Sequence, residues 1–307
     1  MIPAGSHGGD GARLAAALSV APDQVLDLSA SLNPVAPDPT PILRSHLGAI
    51  ARYPDPDAAT DALAAAMGVA SDRLLLTNGG SEAIALVAAE LGPGWVEEPD
   101  FSLYRRHLPS LNRDGARWRS NPHNPSGALA SPDREAEVWD EAFWPLATGT
   151  WTRGDAERGA VVLGSLTKLL ACPGLRVGYV LAASDLIERL VARQPRWSVN
   201  GLVCAALPDL LATVDLERWS KETARLRHDL ATVLIDHGLT PAPSDANWLL
   251  VDAPALRERL TRHAVLVRDC ASFGLPGTMR IAVPDERGLG RLAEALRRLQ
   301  KEPTCPA

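Results

Sequence analysis

Strand-like and helix-like segments alternate along the first two thirds of this chain, and that order constrains the fold more than any other feature. Short apolar runs such as "RLLLT" and "GAVVLGS" indicate buried strands, whereas "SEAIALVAAELG" has the apolar spacing of a helix. Parallel strands need a crossover connection, which is usually a helix. The alternation, which extends to about residue 215, therefore predicts an α/β protein with a mostly parallel sheet between helices.

The last third of the chain predicts a smaller α+β unit. A long helical pattern near residues 216–237 precedes strand-like runs at "NWLLVD", "VLVRD" and "TMRIAVP" and a closing helix at "ERGLGRLAEALRRLQ". We expect three segments, namely an N-terminal arm at 1–40 that joins the small domain, a large domain at 41–215, and a small domain at 216–307.

Charge and composition exclude several classes of partner. The chain has 307 residues, a net charge of −6 and a pI of about 5.7, which oppose nucleic-acid binding. It has no run of 18 apolar residues that would predict a membrane span, and no basic start followed by an apolar stretch that would predict a signal peptide. The cysteines lack C-x-x-C or zinc spacing, so we expect no metal site, reduced thiols and a cytoplasmic location. They are Cys172, Cys204, Cys270 and Cys305.

Lysine is rare in this sequence, which makes Lys168 conspicuous. The other two lysines, Lys221 and Lys301, lie in polar runs, whereas Lys168 follows the apolar strand "AVVLGS" and precedes "LLACPGL". A desolvated amine can lose its proton and attack a carbonyl, which a guanidinium cannot do. A lysine whose stem covers the core while its head reaches water is the structural alternative.

The segment "LLLTNGGSEAIAL" has the order strand, glycine turn, helix. Gly79 and Gly80 allow close approach of the backbone, and the N–H groups at the start of the helix could bind a phosphate. Ser81 could add a hydroxyl or only cap the helix. Many α/β proteins have such a turn without a ligand, and this one is neither a Walker loop nor G-x-G-x-x-G.

Further polar residues fit the same interpretation. Arg176 follows Lys168 by eight residues and could clamp phosphate oxygens, aided by Ser165 and Thr167. In "SNPHNPSG" the prolines keep the chain extended and fix Asn124. Asp140 ends the apolar run "VWD", and ligands of α/β sheets bind at the carboxyl ends of strands. A surface arginine, an ordinary loop and a helix-capping aspartate are the respective alternatives.

Together these pieces resemble the fold-type I, aminotransferase-like enzymes that use pyridoxal phosphate. The matching motifs are "TNGGSEAI", "NPHNPSG", "DEAF", "SLTK" with "GLRVGY", "DANWLLV" and "MRIAV", in the family's order across residues 77–283. The resemblance implies that Lys168 binds the cofactor covalently and that Asp140 pairs with the pyridine nitrogen, so that the ring can accept electrons. It also implies a homodimer with shared active sites. The other implied cofactor contacts are Asn124 to the phenolic oxygen, Phe101 on the ring face, Gly80, Ser81, Ser165 and Arg176 to the phosphate, and Tyr53 to the phosphate of the neighbouring subunit.

Within that family, "HGGDGARLAAAL", "LDLSASLNP", "RYPDP" and "VRDCASF" resemble the threonine-phosphate decarboxylases of cobalamin biosynthesis. The HGG start and the RDC-x-x-F motif separate these from the histidinol-phosphate aminotransferases. The resemblance implies decarboxylation of L-threonine O-3-phosphate to (R)-1-aminopropan-2-yl phosphate. The implied substrate residues are Arg280 for the carboxylate, Arg268 and His7 for the phosphate, and Asn33 and Asn247 in the substrate site. An aminotransferase acting on a substrate such as histidinol phosphate, and a catalytically silent protein of this fold, are the alternatives, and His7 could be only a terminal histidine.

Three departures from the family pattern bear on these roles. Only twelve residues separate Gly127 from Asp140, which predicts a shorter or more exposed strand before that aspartate. Ala128 stands where some relatives carry an arginine; if that arginine binds the substrate phosphate, this protein lacks one contact or prefers another substrate. Phe143 replaces a common tyrosine and removes a hydroxyl from the cofactor's ring oxygen.

Overall fold

The computed structural model describes residues 8–301, and the chain divides into two compact units. The first unit contains the described residues up to Val35, the short segment Pro125–Ala128, and the chain from Lys221 onward. The second unit contains Ala36–Asn124 and Leu129–Ser220. The sequence predicts boundaries near residues 40 and 215, and nothing in it marks the segment at 125–128.

Helices and strands within residues 8–301 have the following bounds. The helices are α1 Gly11–Leu18, α2 Thr40–Ser45, α3 Asp57–Met67, α4 Gly80–Leu91, α5 Ser102–His107, α6 Trp144–Thr148, α7 Leu166–Leu169, α8 Ser184–Arg193, α9 Gly201–Leu211, α10 Leu216–Asp236, α11 Leu256–Thr261 and α12 Glu286–Lys301. The strands are β1 Leu26–Leu28, β2 Leu74–Thr77, β3 Gly94–Val96, β4 Ala116–Ser120, β5 Val138–Asp140, β6 Val161–Gly164, β7 Gly178–Leu181, β8 Trp248–Asp252, β9 Val265–Asp269 and β10 Thr278–Ala282.

The second unit is built on a six-stranded sheet with the order β2-β7-β6-β5-β4-β3. The pairings β3–β4, β4–β5 and β5–β6 are parallel, and β7 runs antiparallel to both of its neighbours. The predicted mostly parallel α/β sheet is therefore confirmed. Apolar residues of β2, β5, β6 and β7 form one core with residues of α4, α5 and α8.

The first unit contains a four-stranded sheet with the order β1-β9-β10-β8. The pairing β1–β9 is parallel, and β10 is antiparallel to both β9 and β8. One core joins the apolar residues of β8, β9 and β10 to α10, α11 and α12. The predicted strand from the N-terminal segment thus belongs to the same sheet as the C-terminal strands.

The crossover from β4 to β5 carries no helix, since residues 121–137 form only turns and irregular chain. The arginine Arg153 holds this crossover by donating hydrogen bonds to the carbonyl oxygens of Ser131, Pro132 and Arg134 at 2.8–3.3 Å. Its guanidinium carbon also lies 4.9 Å from the ring centre of Trp139. Of the two predicted alternatives for the strand before Asp140, the shorter strand is confirmed, since β5 is only three residues long; it is not exposed, because Val138 and Trp139 are fully buried.

Among the helices of residues 8–301, none combines the length and the apolar character that crossing a membrane requires. Within the same residues, no three histidine, cysteine, aspartate or glutamate side chains are gathered as a metal site. Cys172, Cys204 and Cys270 are buried free thiols, and Cys305 lies outside the described residues.

Candidate active site

The glycine turn between β2 and α4 lies against an arginine side chain. Gly79 has φ of 76°, in the left-handed region that favours glycine, and a Cβ there would collide with the guanidinium of Arg176. Gly80 is the first residue of α4, and a Cβ there would lie 3.7 Å from the Cβ of Ser165. The N–H groups of Gly80 and Ser81 precede the first intrahelical bonds. The turn, Arg176 and Ser165 thus bring backbone N–H donors, a cation and a hydroxyl together, a set that suits a phosphate.

The backbone of Arg176 is held in an uncommon conformation. Its φ is 58°, and its Nη1 donates a hydrogen bond of 3.4 Å to the carbonyl oxygen of Pro173. A positive φ at a non-glycine residue is energetically unfavourable, so it persists only where the surrounding contacts hold the backbone in that conformation. The strained backbone goes with the approach of this side chain to the glycine turn.

The hydroxyl of Thr167 is hydrogen-bonded to the backbone and does not join the candidate phosphate contacts of the glycine turn, Arg176 and Ser165. Its Oγ1 donates to the carbonyl oxygen of Val177 at 3.2 Å, and the N–H of Thr167 donates to the same oxygen at 3.1 Å. The suggestion that Thr167 could bind phosphate is therefore wrong. Its two bonds instead fix the short helix α7, which carries Lys168, against the chain that enters β7.

Asp140 ends strand β5 in the middle of the six-stranded sheet, opposite Ser120 on β4 and Leu163 on β6. The Oη of Tyr104 donates to its Oδ2 at 2.8 Å, and the N–H of Ala142 donates to its Oδ1 at 3.0 Å. Asp140 does not cap a helix, because α6 begins at Trp144 with Phe143 before it. The helix-capping alternative is therefore excluded.

Lys168 is partly buried and lies near enough to Asp140 to influence its ionisation. Burial raises the pKa of the Asp140 carboxyl above its usual value, and the two hydrogen bonds and the Lys168 cation oppose that rise. An amine and a carboxylate are thus brought together at the carboxyl end of β5 and the start of the segment after β6. This is the end of an α/β sheet at which ligands bind.

Asn124 and Phe101 are tied to the same part of the second unit. Asn124 is 6% exposed, and its N–H donates to the Oγ of Ser120 at 2.7 Å. Phe101 precedes α5, and its ring meets the ring of Tyr104 edge to face with centroids 5.7 Å apart. Both predicted cofactor residues therefore adjoin residues that contact Asp140 or pair with its strand.

Tyr53 lies at the surface of the second unit. Its side chain is 78% exposed, and its ring centroid lies 4.5 Å from that of Trp197, which is itself 58% exposed. Its contact with the phosphate of a neighbouring subunit stays a prediction. An exposed aromatic pair is the arrangement that such a role would require.

Two predicted substrate residues are neighbours in the first unit. Arg268 on β9 and Arg280 on β10 are paired in register, and both are about 5% exposed. The Nη2 of Arg268 donates to the Oγ of Ser272 at 3.2 Å, while the guanidinium of Arg280 lies over the ring of Trp248 at 4.9 Å. Burial, and then the cation of Arg268, lower the pKa of Arg280 to about 9. Two adjacent buried cations favour a bound anion.

The contacts of the remaining predicted substrate residues do not by themselves indicate a substrate site. Asn247 is fully buried; its Nδ2 donates to the carbonyl oxygen of Leu32 at 3.0 Å, while its Oδ1 has no hydrogen-bond partner within the described chain. Asn33 is buried and accepts a bond of 3.0 Å from the N–H of Val35. His7 lies outside the described residues. Their substrate roles stay predictions.

A family comparison accounts for this arrangement. The sequence model of the family described as aminotransferase class I and II matches residues 118–296, which include Asn124, Asp140, Lys168, Arg176 and Arg280. The chain belongs to the aminotransferase class I and II family. The fold described above is the type I fold of its pyridoxal-phosphate-dependent members, as the resemblance predicted.

Individual relatives within the aminotransferase class I and II family carry different activities. The chain is 31% identical to the threonine-phosphate decarboxylase of Salmonella typhimurium, over 95% of this chain and 96% of that protein. It is 28% identical to the histidinol-phosphate aminotransferase of Symbiobacterium thermophilum, over 89% and 90%. The L-threonine-O-3-phosphate decarboxylase of Porphyromonas gingivalis superposes with a TM-score of 0.74 at 23% identity over 91% of this chain and all of that one, which speaks for the fold alone.

Sequence reasoning missed the residues that support these family positions. Tyr104, Asp100 and Ser120 are buried polar residues around Asp140, Phe101 and Asn124. One signal was available, because Tyr104 follows Phe101 by three residues and therefore shares its face of a helical turn. The link from Ser120 to Asp100 joins residues twenty positions apart, and no local pattern predicts it.

Proposed function

We propose that this chain is a pyridoxal-phosphate-dependent decarboxylase that converts L-threonine O-3-phosphate to (R)-1-aminopropan-2-yl phosphate in cobalamin biosynthesis. The observation that carries the proposal is that Asp140 ends β5 and Lys168 follows the parallel neighbouring strand β6, in the unit that also holds the Gly79 turn and Arg176. The similarity to the Salmonella decarboxylase along nearly the whole chain supports the substrate.

The residues of the second unit fit pyridoxal phosphate. Arg176, Ser165 and the start of α4 would bind its phosphate, because side chains are missing where Gly79 and Gly80 face Arg176 and Ser165. Phe101 would lie on the ring, and the amide of Asn124 would donate to the phenolic oxygen. Each of these residues has a fixed backbone or a packed neighbour, which a preorganised pocket requires.

When bound, pyridoxal phosphate supplies an aldehyde that takes up an amine and a ring that accepts the electrons of a broken bond at Cα. Asp140 would hold a proton on the ring nitrogen, since its oxygens already accept from Tyr104 and Ala142 and can accept once more. Lys168 would bind the cofactor in the resting protein. Its Nζ, or a water, would return a proton to Cα after carbon dioxide leaves.

The arginines of the first unit would bind the two anionic groups of the substrate. Arg280 would hold the carboxylate and Arg268 the phosphate, with Asn33, Asn247 and His7 completing the contacts. The reaction balances as loss of carbon dioxide from Cα and gain of one proton there. Tyr53 would contribute to the phosphate site of a second copy, so the active form would be a homodimer.

The first test maps the cofactor lysine. The purified protein would be incubated with pyridoxal phosphate, reduced with borohydride and digested, and the peptides would be sequenced. The chain has only three lysines, so Lys221 and Lys301 are internal controls for nonspecific labelling. We expect a pyridoxyl group on Lys168, and labelling of only the other two lysines would refute the site.

The second test identifies the reaction. Release of carbon dioxide from L-threonine O-3-phosphate without a keto-acid acceptor is the expected result. The principal alternative is a histidinol-phosphate aminotransferase, which the similarity to the Symbiobacterium enzyme supports. Turnover that occurs only with 2-oxoglutarate and histidinol phosphate would replace the decarboxylase by that alternative, and a protein that takes up no cofactor would be the silent member of this fold.

A further inference from the structure

Three buried polar residues of the second unit lie behind the residues proposed to hold the cofactor. Asp100 is 4% exposed, Ser120 is 5% exposed and Tyr104 is fully buried. They come from the loop before α5, from the end of β4 and from α5 itself. A buried polar cluster is stable only when its members satisfy one another, so their contacts show what the cluster holds in place.

The carboxylate of Asp100 holds two backbone segments. Its Oδ1 accepts from the N–H of Phe101 at 2.7 Å and from the hydroxyl of Ser120 at 2.5 Å, and its Oδ2 accepts from the N–H of Ser120 at 3.1 Å. The Ser120 oxygen in turn accepts the N–H of Asn124 at 2.7 Å. One carboxylate thus fixes the backbone of Phe101 directly and that of Asn124 through one hydroxyl.

Tyr104 performs the corresponding task for Asp140. Its hydroxyl donates to the Asp140 Oδ2 at 2.8 Å, and its ring is packed between Phe101 and Trp118, with both centroid distances at 5.7 Å. A donor on one oxygen orients the carboxylate and stabilises its ionised form. Only the ionised form can keep a proton on a ring nitrogen.

We infer that Asp100, Ser120 and Tyr104 are positioning residues, which set Phe101, Asn124 and the ionised Asp140 in their working arrangement before any cofactor enters. The inference rests on the proposed function, because it takes pyridoxal phosphate as the group that these three residues hold. It adds a second set of side chains, none of which would touch the cofactor. It also explains why buried polar groups occur where apolar packing would serve stability better.

The cost of this arrangement is visible at Asp100. Burial raises the pKa of its carboxyl to about 6, even though hydrogen bonds from Ser120 and the nearby His123 lower it. A carboxylate is retained there although the fold penalises its charge. Its three donors belong to two chain segments, at Phe101 and at Ser120, and a side chain with a single acceptor oxygen could not bind all of them.

The first test compares two buried tyrosines of the second unit, Tyr104 on α5 and Tyr179 on β7. In Tyr104→Phe we expect affinity for pyridoxal phosphate to fall about tenfold, because a hydrogen bond to a charged group is lost. The circular dichroism band of the bound cofactor should also change, since it reports how the ring is held. Tyr179→Phe is the matched control: Tyr179 is 1% exposed and loses the same hydroxyl, and although the charge of Asp140 acts on it, no described hydrogen bond joins the two.

The second test separates positioning from stability at Asp100. Asp100→Ala should weaken cofactor affinity at least as much as Tyr104→Phe, and Asp100→Asn should restore part of it, because the amide oxygen can still accept from Phe101 and Ser120. The control is Asp155→Asn, which alters another buried aspartate of this unit, one that pairs with Arg153 and Arg158. It should change thermal stability without changing the cofactor's affinity or its circular dichroism.

The results distinguish this inference from the function on which it rests. If the wild-type protein takes up no pyridoxal phosphate, the proposed function fails and this inference with it. If the wild-type protein binds the cofactor and both Tyr104→Phe and Asp100→Ala match it in affinity and circular dichroism, the positioning roles alone are refuted. Thermal unfolding of each variant without cofactor shows whether a loss of binding follows from a loss of folding.

Discussion

The two units bury charge in opposite ways. In the second unit the buried carboxylates of Asp100, Asp140 and Glu141 each accept hydrogen bonds from named donors of the same unit. In the first unit two arginines of the same sign, Arg268 and Arg280, lie side by side across the strand pair β9–β10. One unit surrounds its anions with donors, whereas the other places its cations together.

This difference concerns the sign of the charges that each unit gathers in its interior. The donors around these buried carboxylates offset part of the rise in pKa that burial causes, without any ligand. Each of two adjacent buried cations raises the free-energy cost of burying the other, and that cost falls when an anion lies between them. In the proposed function the donors of the second unit preorganise it for its cofactor, and the cations of the first unit attract the anionic groups of the substrate.

The largest expected effect comes from removing one cation of the pair. In Arg280→Met we expect kcat/KM for threonine phosphate to fall about a thousandfold, or about 4 kcal/mol, because a buried charged contact to the carboxylate is lost. Thermal unfolding of the cofactor-loaded protein without substrate shows separately whether the fold is altered, because Arg280 also has contacts within the folded chain. Steady-state kinetics and thermal unfolding measure the two effects.

Arg257→Met is the control for that substitution. Arg257 is a buried arginine of the same unit, on α11, with no proposed contact to substrate. We expect its replacement to leave kcat/KM close to the wild-type value. A destabilised Arg280→Met protein with full activity would contradict the contrast between the two units.

The next effect concerns the fully buried Glu141 of the second unit. Its oxygens accept from the N–H of Arg153 at 3.2 and 3.3 Å, and burial raises its pKa to about 7. A carboxyl whose folded pKa lies above its ordinary value of 4.5 contributes stability below that value and loses it as pH rises through 7. We expect wild-type stability to fall by up to about 3 kcal/mol from this group between pH 5 and 8.

The variant Glu141→Gln should flatten the pH dependence in that window, measured by denaturant unfolding at several pH values. Arg153, Asp155 and Tyr179 are the charged or titratable groups that interact with Glu141, and they remain in the variant. Asp100 titrates in the same direction, so only the difference between the two proteins is informative. Identical curves would show that the donors around Glu141 compensate for its burial.

A smaller effect tests the arginine pair with a simple anion. Inorganic phosphate at about ten times its dissociation constant should stabilise the cofactor-loaded protein by about 1.4 kcal/mol. The bound cofactor occupies the phosphate site near Arg176, so the gain would report a second site. We expect the gain to disappear in Arg268→Met, and its persistence there would place the anion elsewhere.

Most helices and strands with a regular spacing of apolar residues could be predicted from the sequence. Elements in which proline, arginine or a surrounding of apolar residues obscures that spacing could not. Strand β2 and helix α4 follow from "RLLLT" and "SEAIALVAAELG". Helix α9 was missed because Pro208 lies inside it and because apolar residues surround most of its axis. Strand β4, "ARWRS", was missed because arginine alternates with its buried residues.

For the site, sequence order indicated residues that adjoin a strand end or a glycine turn, namely Gly80, Asp140, Lys168 and Arg176. It could not find Asp100 or Ser120, whose contacts depend on how β4 pairs and how the chain before α5 turns. It also offered Thr167 as a possible phosphate contact, although that hydroxyl donates to the backbone carbonyl of Val177. Chemical type and spacing identify candidates, but the partner of a hydroxyl is decided by packing.

The smallest effect concerns two exposed aspartates at the start of α3. Asp57 is the first helical residue, and its N–H donates to the Oδ1 of Asp55 at 3.1 Å. Asp55 precedes Pro56, and proline is favoured at the first turn of a helix. We therefore expect Asp55→Ala to cost about 1 kcal/mol of stability, because a capping acceptor is lost.

The control variant is Asp57→Ala, which should cost only a few tenths of that, through the helix dipole. Denaturant unfolding of both variants would decide, and equal losses would mean that charge near the helix start matters more than the capping bond.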